Sequence, residues 1–226
     1  GVHRTSSGDG SISGLSPAQA DIVRLAADPR PLEGFPIVHV MSHLACGDEP
    51  GHPLNDKQLM LFKTLAARFP WPANPRPTFG MSASSGIFLG TDYHFDLVRP
   101  GAALYGLQPT IGRPNPMRPV VRLQGKILQI RDVDLGMTVG YGATHTFKGP
   151  SRLATIGVGY ADGIFRSLGN RGAVFVAGER APIVGRISMD LMTVEVGQVP
   201  AATLRVGMDV DIIGPAQSVD DLARDA

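Results

Sequence analysis

One cysteine, Cys46, in 226 residues excludes an internal disulfide and suits a reducing compartment. No apolar run approaches the roughly 20 residues that a membrane-spanning helix needs, and no basic-then-apolar leader opens the chain, so the expectation is a cytoplasmic protein. Neither sign of charge is in excess: 21 Lys and Arg stand against 20 Asp and Glu. That balance gives no electrostatic reason to expect a nucleic acid or a membrane surface as partner, and leaves a small molecule. Asp48 and Glu49, with His43 and His52, make no recognised ligand spacing, so no metal is expected. Glycine (28) and proline (19) are what the chain has in plenty, and they imply many turns and short elements. With 43% apolar residues the chain can bury a core, as one large domain or two modest ones.

The two halves pattern differently. Ser16-Pro17-Ala18-Gln19 reads as a capped helix start before Ile22, Val23, Leu25 and Ala26. Asn55-Asp56-Lys57-Gln58 repeats the signal before Leu59, Phe62, Leu65, Ala66 and Phe69, a stripe of helical period ending near Arg68, before Pro70. Phe35 to Met41 reads as a short buried strand, and Asp96 to Arg99 as a weaker one. Strands alternating with helices predict parallel βα units. After Arg118 the period becomes two, in Ala154, Ile156 and Val158 and in Met208, Val210 and Ile212, which predicts half-buried strands. Residues 173–176 and 182–184 flank Ala177 to Ala181, a plausible hairpin connection. The Pro-rich segment 113–119 lies at the change of style. The division expected is a flexible or appended leader at 1–13, an α/β domain at 14–117 and a β-rich domain at 118–226.

The segment Gly157-Val158-Gly159-Tyr160-Ala161-Asp162-Gly163 delivers a tyrosine into a bend that glycines keep open, where backbone and ligand can meet. Alone, it is as well explained by a strand ending in a turn. The same holds for the other blocks taken singly: His43 as a core histidine, Arg99 as a salt-bridge arginine, Ser82 to Gly86 as a loop, Met189 as core and Asp190 as a turn residue.

Taken together and in order, S-H-L-A (42–45), S-S-G-I-F-L-G (84–90), R-P-G-x-A-L-Y-G (99–106), G-Y-G-A-T (140–144), G-Y-A-D-G (159–163) and G-R-I-S-M-D (185–190) resemble the alanine racemase family from about Gly14 onward. The resemblance implies a pyridoxal 5'-phosphate enzyme that interconverts L- and D-alanine and so supplies D-alanine for peptidoglycan. The implied build is a (β/α)8 barrel followed by a β-rich C-terminal domain, assembled as a homodimer with the active site shared between subunits. Residue by residue, it makes Tyr160 the second acid–base, acting from the neighbouring subunit, and His43 the link from that tyrosine to an arginine. It makes Arg99 the donor to the cofactor's pyridine nitrogen, and it gives the phosphate to Ser84, Gly101 and Ala102. It has Met189, through its backbone N–H, and Asp190 meet the substrate carboxylate from the partner subunit. Asp162 is expected to hold the Tyr160 bend.

Three departures stand against the family pattern. None of the four lysines, Lys57, Lys63, Lys126 and Lys148, sits in the family's K-A-x-A-Y-G context; the arginine of its G-M-x-R-L-G stretch has no counterpart; and a late tyrosine that reaches the phosphate lies beyond Ala226. The expectation is therefore a large C-terminal portion of such an enzyme, inactive by itself. Two alternatives remain: a non-catalytic binding or dimerisation module, and a related pyridoxal-phosphate amino-acid racemase or decarboxylase with another substrate.

Overall fold

A computed structural model describes residues 17–71 and 75–226. It divides into two compact units, one running up to Leu104 and including Gln108–Met117, the other made of Tyr105–Leu107 and Arg118–Ala226. Ser16 and the Ser/Gly-rich opening fall outside the described residues.

In the first unit, β1 (His39–Met41), β2 (Thr78–Ala83) and β3 (Leu97–Arg99) lie side by side in chain order, all parallel. Helix α1 (Pro17–Ala27) precedes β1, α2 (Pro53–Arg68) carries the chain from β1 to β2, and the single turn α3 (Ser84–Ile87) leaves β2 directly. Adjacent parallel strands joined by crossover helices are the repeating unit from which a (β/α)8 barrel is built. The packing core is Leu44, Leu59, Met81 and Tyr93, with Phe62, Leu89 and Phe95 against it.

Two expectations for this unit are corrected. Helix α2 begins at Pro53, not at Asn55: proline's fixed φ suits the first helical turn, and His52 Nδ1 accepts from the Leu54 N–H at 3.2 Å. Asn55 instead lies inside the helix, buried, donating to the Glu49 carbonyl at 2.9 Å. The run from Phe35 to Met41 is not a buried strand. Only His39–Met41 pairs, and Phe35, Val38 and Met41 are 72%, 66% and 57% exposed. The reason is positional: β1 heads the strand order, so only β2 pairs with it among the described residues.

The second unit begins with β4 (Leu123–Val133), the short pair β5 (Thr138–Val139) and β6 (His145–Thr146), and β7 (Ser151–Ile156). It continues through β8 (Ala173–Val176), β9 (Glu179–Pro182), β10 (Met192–Glu195), β11 (Asp209–Ile213) and α4 (Val219–Asp225). Six strands form one antiparallel sheet in the order β10-β7-β4-β11-β8-β9. The period of two read from the sequence is the burial pattern: Ala154, Ile156 and Val158 are buried with Val194, Val210 and Ile212. The hairpin is tighter than expected. Glu179 to Pro182 belong to β9, and the connection is Ala177-Gly178 alone, with φ of 53° and 88°. Positive φ at both central residues is what a two-residue turn needs to match strand twist.

Candidate active site

Every residue singled out in the first unit stands at the C-terminal end of a parallel strand. His43 follows β1 by two residues, Ser84 follows β2 directly, Arg99 ends β3, and Gly101 and Ala102 come next. In a parallel sheet these ends share one edge, and that edge is where barrel enzymes gather their chemistry. The loop after β1 is held there by Gln58 of α2, which donates to the His43 carbonyl at 3.1 Å and accepts from the Ala45 N–H at 2.9 Å. The His43 side chain itself is exposed.

Arg99 reaches back across the sheet. Its Nη2 donates to the Ser42 carbonyl just past β1 at 2.8 Å and to the Met81 carbonyl within β2 at 3.3 Å, which ties β3 to both neighbouring segments. Its Nη1 is buried and has no acceptor among the described residues. A buried guanidinium N–H left unpaired is costly, and a group from outside the unit that accepted it would remove the cost. Ser84, buried, uses its hydroxyl oxygen to accept from the N–H groups of Gly101 (2.9 Å) and Ala103 (3.1 Å), so the Gly101 amide is already engaged within the loop. The Ser84 hydroxyl proton remains as a donor. A Cβ at Gly101 would meet nothing within 4 Å, so the backbone there is open to approach. Below these ends, the Tyr93 hydroxyl donates to Asp56 Oδ1 at 2.6 Å. Burial, reinforced by that carboxylate, pushes the Tyr93 phenol up to about 12 and keeps it neutral.

In the second unit the tyrosine block and the S-M-D block interlock. Tyr160 opens a single helical turn after β7, and its N–H donates to the Ser188 carbonyl at 3.0 Å while Ala161 donates to the Met189 carbonyl at 2.9 Å. A Cβ on Gly159 would lie 2.2 Å from the Met189 oxygen, so only glycine lets the two backbones pass this closely. Asp162 Oδ2 accepts from the Gly159 N–H at 2.9 Å and closes the turn. The structure places Tyr160, Met189 and Asp190 along two touching backbones. It leaves open to solvent what a core tyrosine and a core methionine would bury: Tyr160 is 40% and Met189 53% exposed.

Three supporting residues were missed by the sequence reading. In the sequence Gln58 reads only as part of a helix start. Asn170, at φ 62°, accepts from the Gly185 N–H at 2.6 Å and donates to Thr144 Oγ1 at 3.2 Å, joining the G-Y-G-A-T and G-R-I-S-M-D blocks. Its place in Leu168-Gly169-Asn170-Arg171-Gly172 carried a turn signal that was readable. Arg166 lies over the Tyr160 ring with its Cζ 5.3 Å from the centroid, and nothing in the sequence pattern marked it. Among the described residues no group of three or more His, Cys, Asp or Glu side chains could hold a metal, and no helix is long and apolar enough to cross a membrane.

Comparison with known proteins matches both parts of the chain to one family. The family model for the alanine racemase N-terminal domain covers residues 7–109, and that for the C-terminal domain covers residues 120–226. The chain is 55% identical to an alanine racemase of Rhodospirillum rubrum over 214 residues, covering 93% of this chain and 54% of that protein. It is 47% identical to a catabolic alanine racemase of Mesorhizobium japonicum, covering 95% of this chain and 55% of that protein. Among solved structures, alanine racemase from Bartonella henselae with covalently bound pyridoxal phosphate superposes with a TM-score of 0.81 at 39% identity, covering 95% of this chain and 58% of that one. The chain therefore spans about half the length of the curated relatives it matches. The order of the motifs, the parallel strands followed by a β-rich unit, and these matches agree: the chain belongs to the alanine racemase family.

Proposed function

We propose that this chain forms the cofactor- and substrate-facing part of a pyridoxal-phosphate-dependent alanine racemase, a cytoplasmic homodimer that interconverts L- and D-alanine and supplies D-alanine for peptidoglycan. The observation that carries the reading is Arg99: one guanidinium nitrogen pinned by the Ser42 and Met81 carbonyls, the other buried with no acceptor among the described residues. A pyridine nitrogen, an acceptor with no proton of its own, is the complement of that donor. The phosphate falls to the Ser84 hydroxyl and to the backbone at Gly101 and Ala102, where the missing side chain of Gly101 leaves room for it although its own amide is bound to Ser84. Pyridoxal phosphate, when bound, draws electron density away from the substrate Cα and makes its proton removable. Acting from the neighbouring subunit of the homodimer, Tyr160 takes or returns that proton on one face, with His43 of the first subunit linking it to an arginine, and Met189 and Asp190, from the neighbouring subunit too, orient the substrate carboxylate.

The residues present fit the nitrogen end and the phosphate end of the cofactor. They do not include its covalent anchor. Lys57 and Lys63 lie on α2, Lys126 on β4 is ion-paired with Asp209, and Lys148 follows β6 of the second unit, so none stands at the C-terminal end of the parallel strands β1, β2 or β3. Because guanidinium stays protonated, Arg99 donates without giving up its proton. In the full-length enzyme carrying this segment, Arg99→Glu supplies a proton to the ring nitrogen instead. Racemisation should then fall and transamination by-product rise relative to parent. Parent-like values of both would mean that Arg99 does not face the cofactor.

A further inference from the structure

The loop that leaves β1 alternates: His43 and Ala45 are exposed, while Leu44 between them is buried in the core with Leu59 of α2. Leu44 also lies against α3, where a Cβ on Gly86 would be 3.0 Å from its Cδ1. The two backbone groups that flank Leu44 are served by one side chain. Gln58 accepts from the Ala45 N–H at 2.9 Å and donates to the His43 carbonyl at 3.1 Å. A side-chain amide is planar, so both bonds hold together only when residues 43 and 45 keep one spacing and one orientation. The carbonyl just before, that of Ser42, is held by Arg99 Nη2 at 2.8 Å. Consecutive carbonyls are thus gripped from β3 and from α2, and the His43 Cα lies between them. The far end of the loop is held separately: Asn55 donates to the Glu49 carbonyl at 2.9 Å and Ile111 to the Asp48 carbonyl at 2.8 Å. Gln58 therefore governs the near end.

We infer that Gln58 is a positioning residue for His43: its side-chain amide fixes the backbone on both sides of Leu44 and so sets where the His43 ring stands at the edge formed by the strand ends. This rests on the reading of His43 as a residue of the active site. Gln58 need not touch substrate or cofactor to act. A small rotation of the backbone at residue 43 is amplified at the far side of the ring, and a misplacement of about 1 Å at a reacting centre can cost up to roughly 10²-fold in rate. Loss of the Gln58 amide should lower kcat and leave KM for alanine nearly unchanged. Its effect should shrink when the His43 ring is already gone.

The test uses the full-length enzyme carrying this segment, with amide hydrogen exchange read beside the kinetics. Gln58 borders an apolar cleft lined by Ile22, Phe62 and Leu65, so Gln58→Leu meets apolar neighbours. In that variant exchange should quicken in the peptide spanning 43–46 and keep parent rates in 48–52 and in β2. Its kcat should fall about three- to thirtyfold, with KM for alanine within about twofold of parent. Gln58→Glu keeps the acceptor for Ala45 but, when ionised, offers no donor to the His43 carbonyl; protonated, it offers both. The ordinary glutamate pKa of about 4.3 is raised by a facing carbonyl oxygen, so the ratio of variant to parent kcat should climb as pH falls from about 8 towards about 5. Adding Gln58→Leu to His43→Ala should cost far less than it costs the parent. Parent-like exchange at 43–46 overturns the inference, as does a flat pH ratio or a double variant that shows the full product of the two single losses. Faster exchange throughout α2 overturns it too, as the mark of a residue that serves the fold alone. Parent-like turnover in His43→Ala would sink the reading of His43, and the inference with it. Exchange at 43–46 would still report the clamp, which tells that failure apart from a missing one.

Discussion

Gly159→Ala is the substitution that tests most directly how the two halves of the second-unit site depend on each other. The backbone at Gly159 is extended, φ −143°, so alanine meets no dihedral penalty. The obstacle is contact: the new methyl would lie 2.2 Å from the Met189 oxygen, 2.4 Å from its carbonyl carbon and 2.5 Å from the Ser188 oxygen, all backbone atoms that cannot rotate away. Relief needs the two segments to part by roughly 1 Å, given ordinary van der Waals separations. Parting them strains the core by about 1–3 kcal/mol. It also stretches the bonds from Tyr160 to Ser188 and from Ala161 to Met189, each worth a net 0.5–1.5 kcal/mol or so. A total of about 2–6 kcal/mol is a large share of the 5–15 kcal/mol typical of a domain. In urea, with a slope of about 2 kcal/mol per molar, the far-UV circular dichroism midpoint of the 226-residue chain should fall by about 1–3 M. Gly163→Ala is the control: its φ is +94° but its Cβ meets nothing within 4 Å, so it should cost about 1–2 kcal/mol from backbone conformation alone. Equal midpoints for the two variants would show that the Tyr160 and Met189 backbones are not locked together.

The remaining predictions concern the first unit and the lysines. With the Tyr93 phenol pushed up to about 12 from its ordinary 10.0, the stability linked to its neutral form is complete below pH 10 and is lost as pH rises through 12. The alkaline absorbance titration at 295 nm should contain a late component that disappears in Tyr93→Phe, and its survival in that variant would assign it elsewhere. Because none of the four lysines stands at the C-terminal end of the parallel strands β1, β2 or β3, this chain mixed with pyridoxal phosphate and borohydride should acquire no stoichiometric label on a single lysine and should not racemise alanine. One uniquely labelled lysine with turnover would reverse that.

The secondary structure was legible wherever one face of an element decides its own burial. The period of two in residues 154–158 and 208–212 follows from half-burial in a sheet whose strands all lie within the second unit, so sequence and packing carry the same information. The helical stripe of Leu59, Phe62, Leu65 and Phe69 succeeded for the same reason. Reading the Phe35 to Met41 run as a buried strand failed because an apolar run reports what its neighbours would cover, not which neighbours are present beside β1. The α2 start was missed because histidine is outside the usual set of capping residues, although its ring nitrogen can accept as an aspartate does.

The site was legible in a different way. Tyr160, Arg99 and Ser84 are residue types whose candidate chemistry can be read from the sequence, whereas Gln58 and Asn170, which tie neighbouring loops, act through contacts 13 to 26 residues away, and Arg166 meets only a ring face. Such contacts have no period. Glycine shows the limit most clearly. Gly101 and Gly159 both stand in blocks that suggest close backbone approach, yet one faces open space within 4 Å and the other faces the Met189 carbonyl. The first is compatible with a ligand arriving from outside, and the second is already occupied by the protein's own chain. The same letter therefore marks room for a cofactor at the end of β3 and the absence of room beside Tyr160. A Gly101→Ala substitution would test cofactor access with little folding cost, while Gly159→Ala tests folding itself.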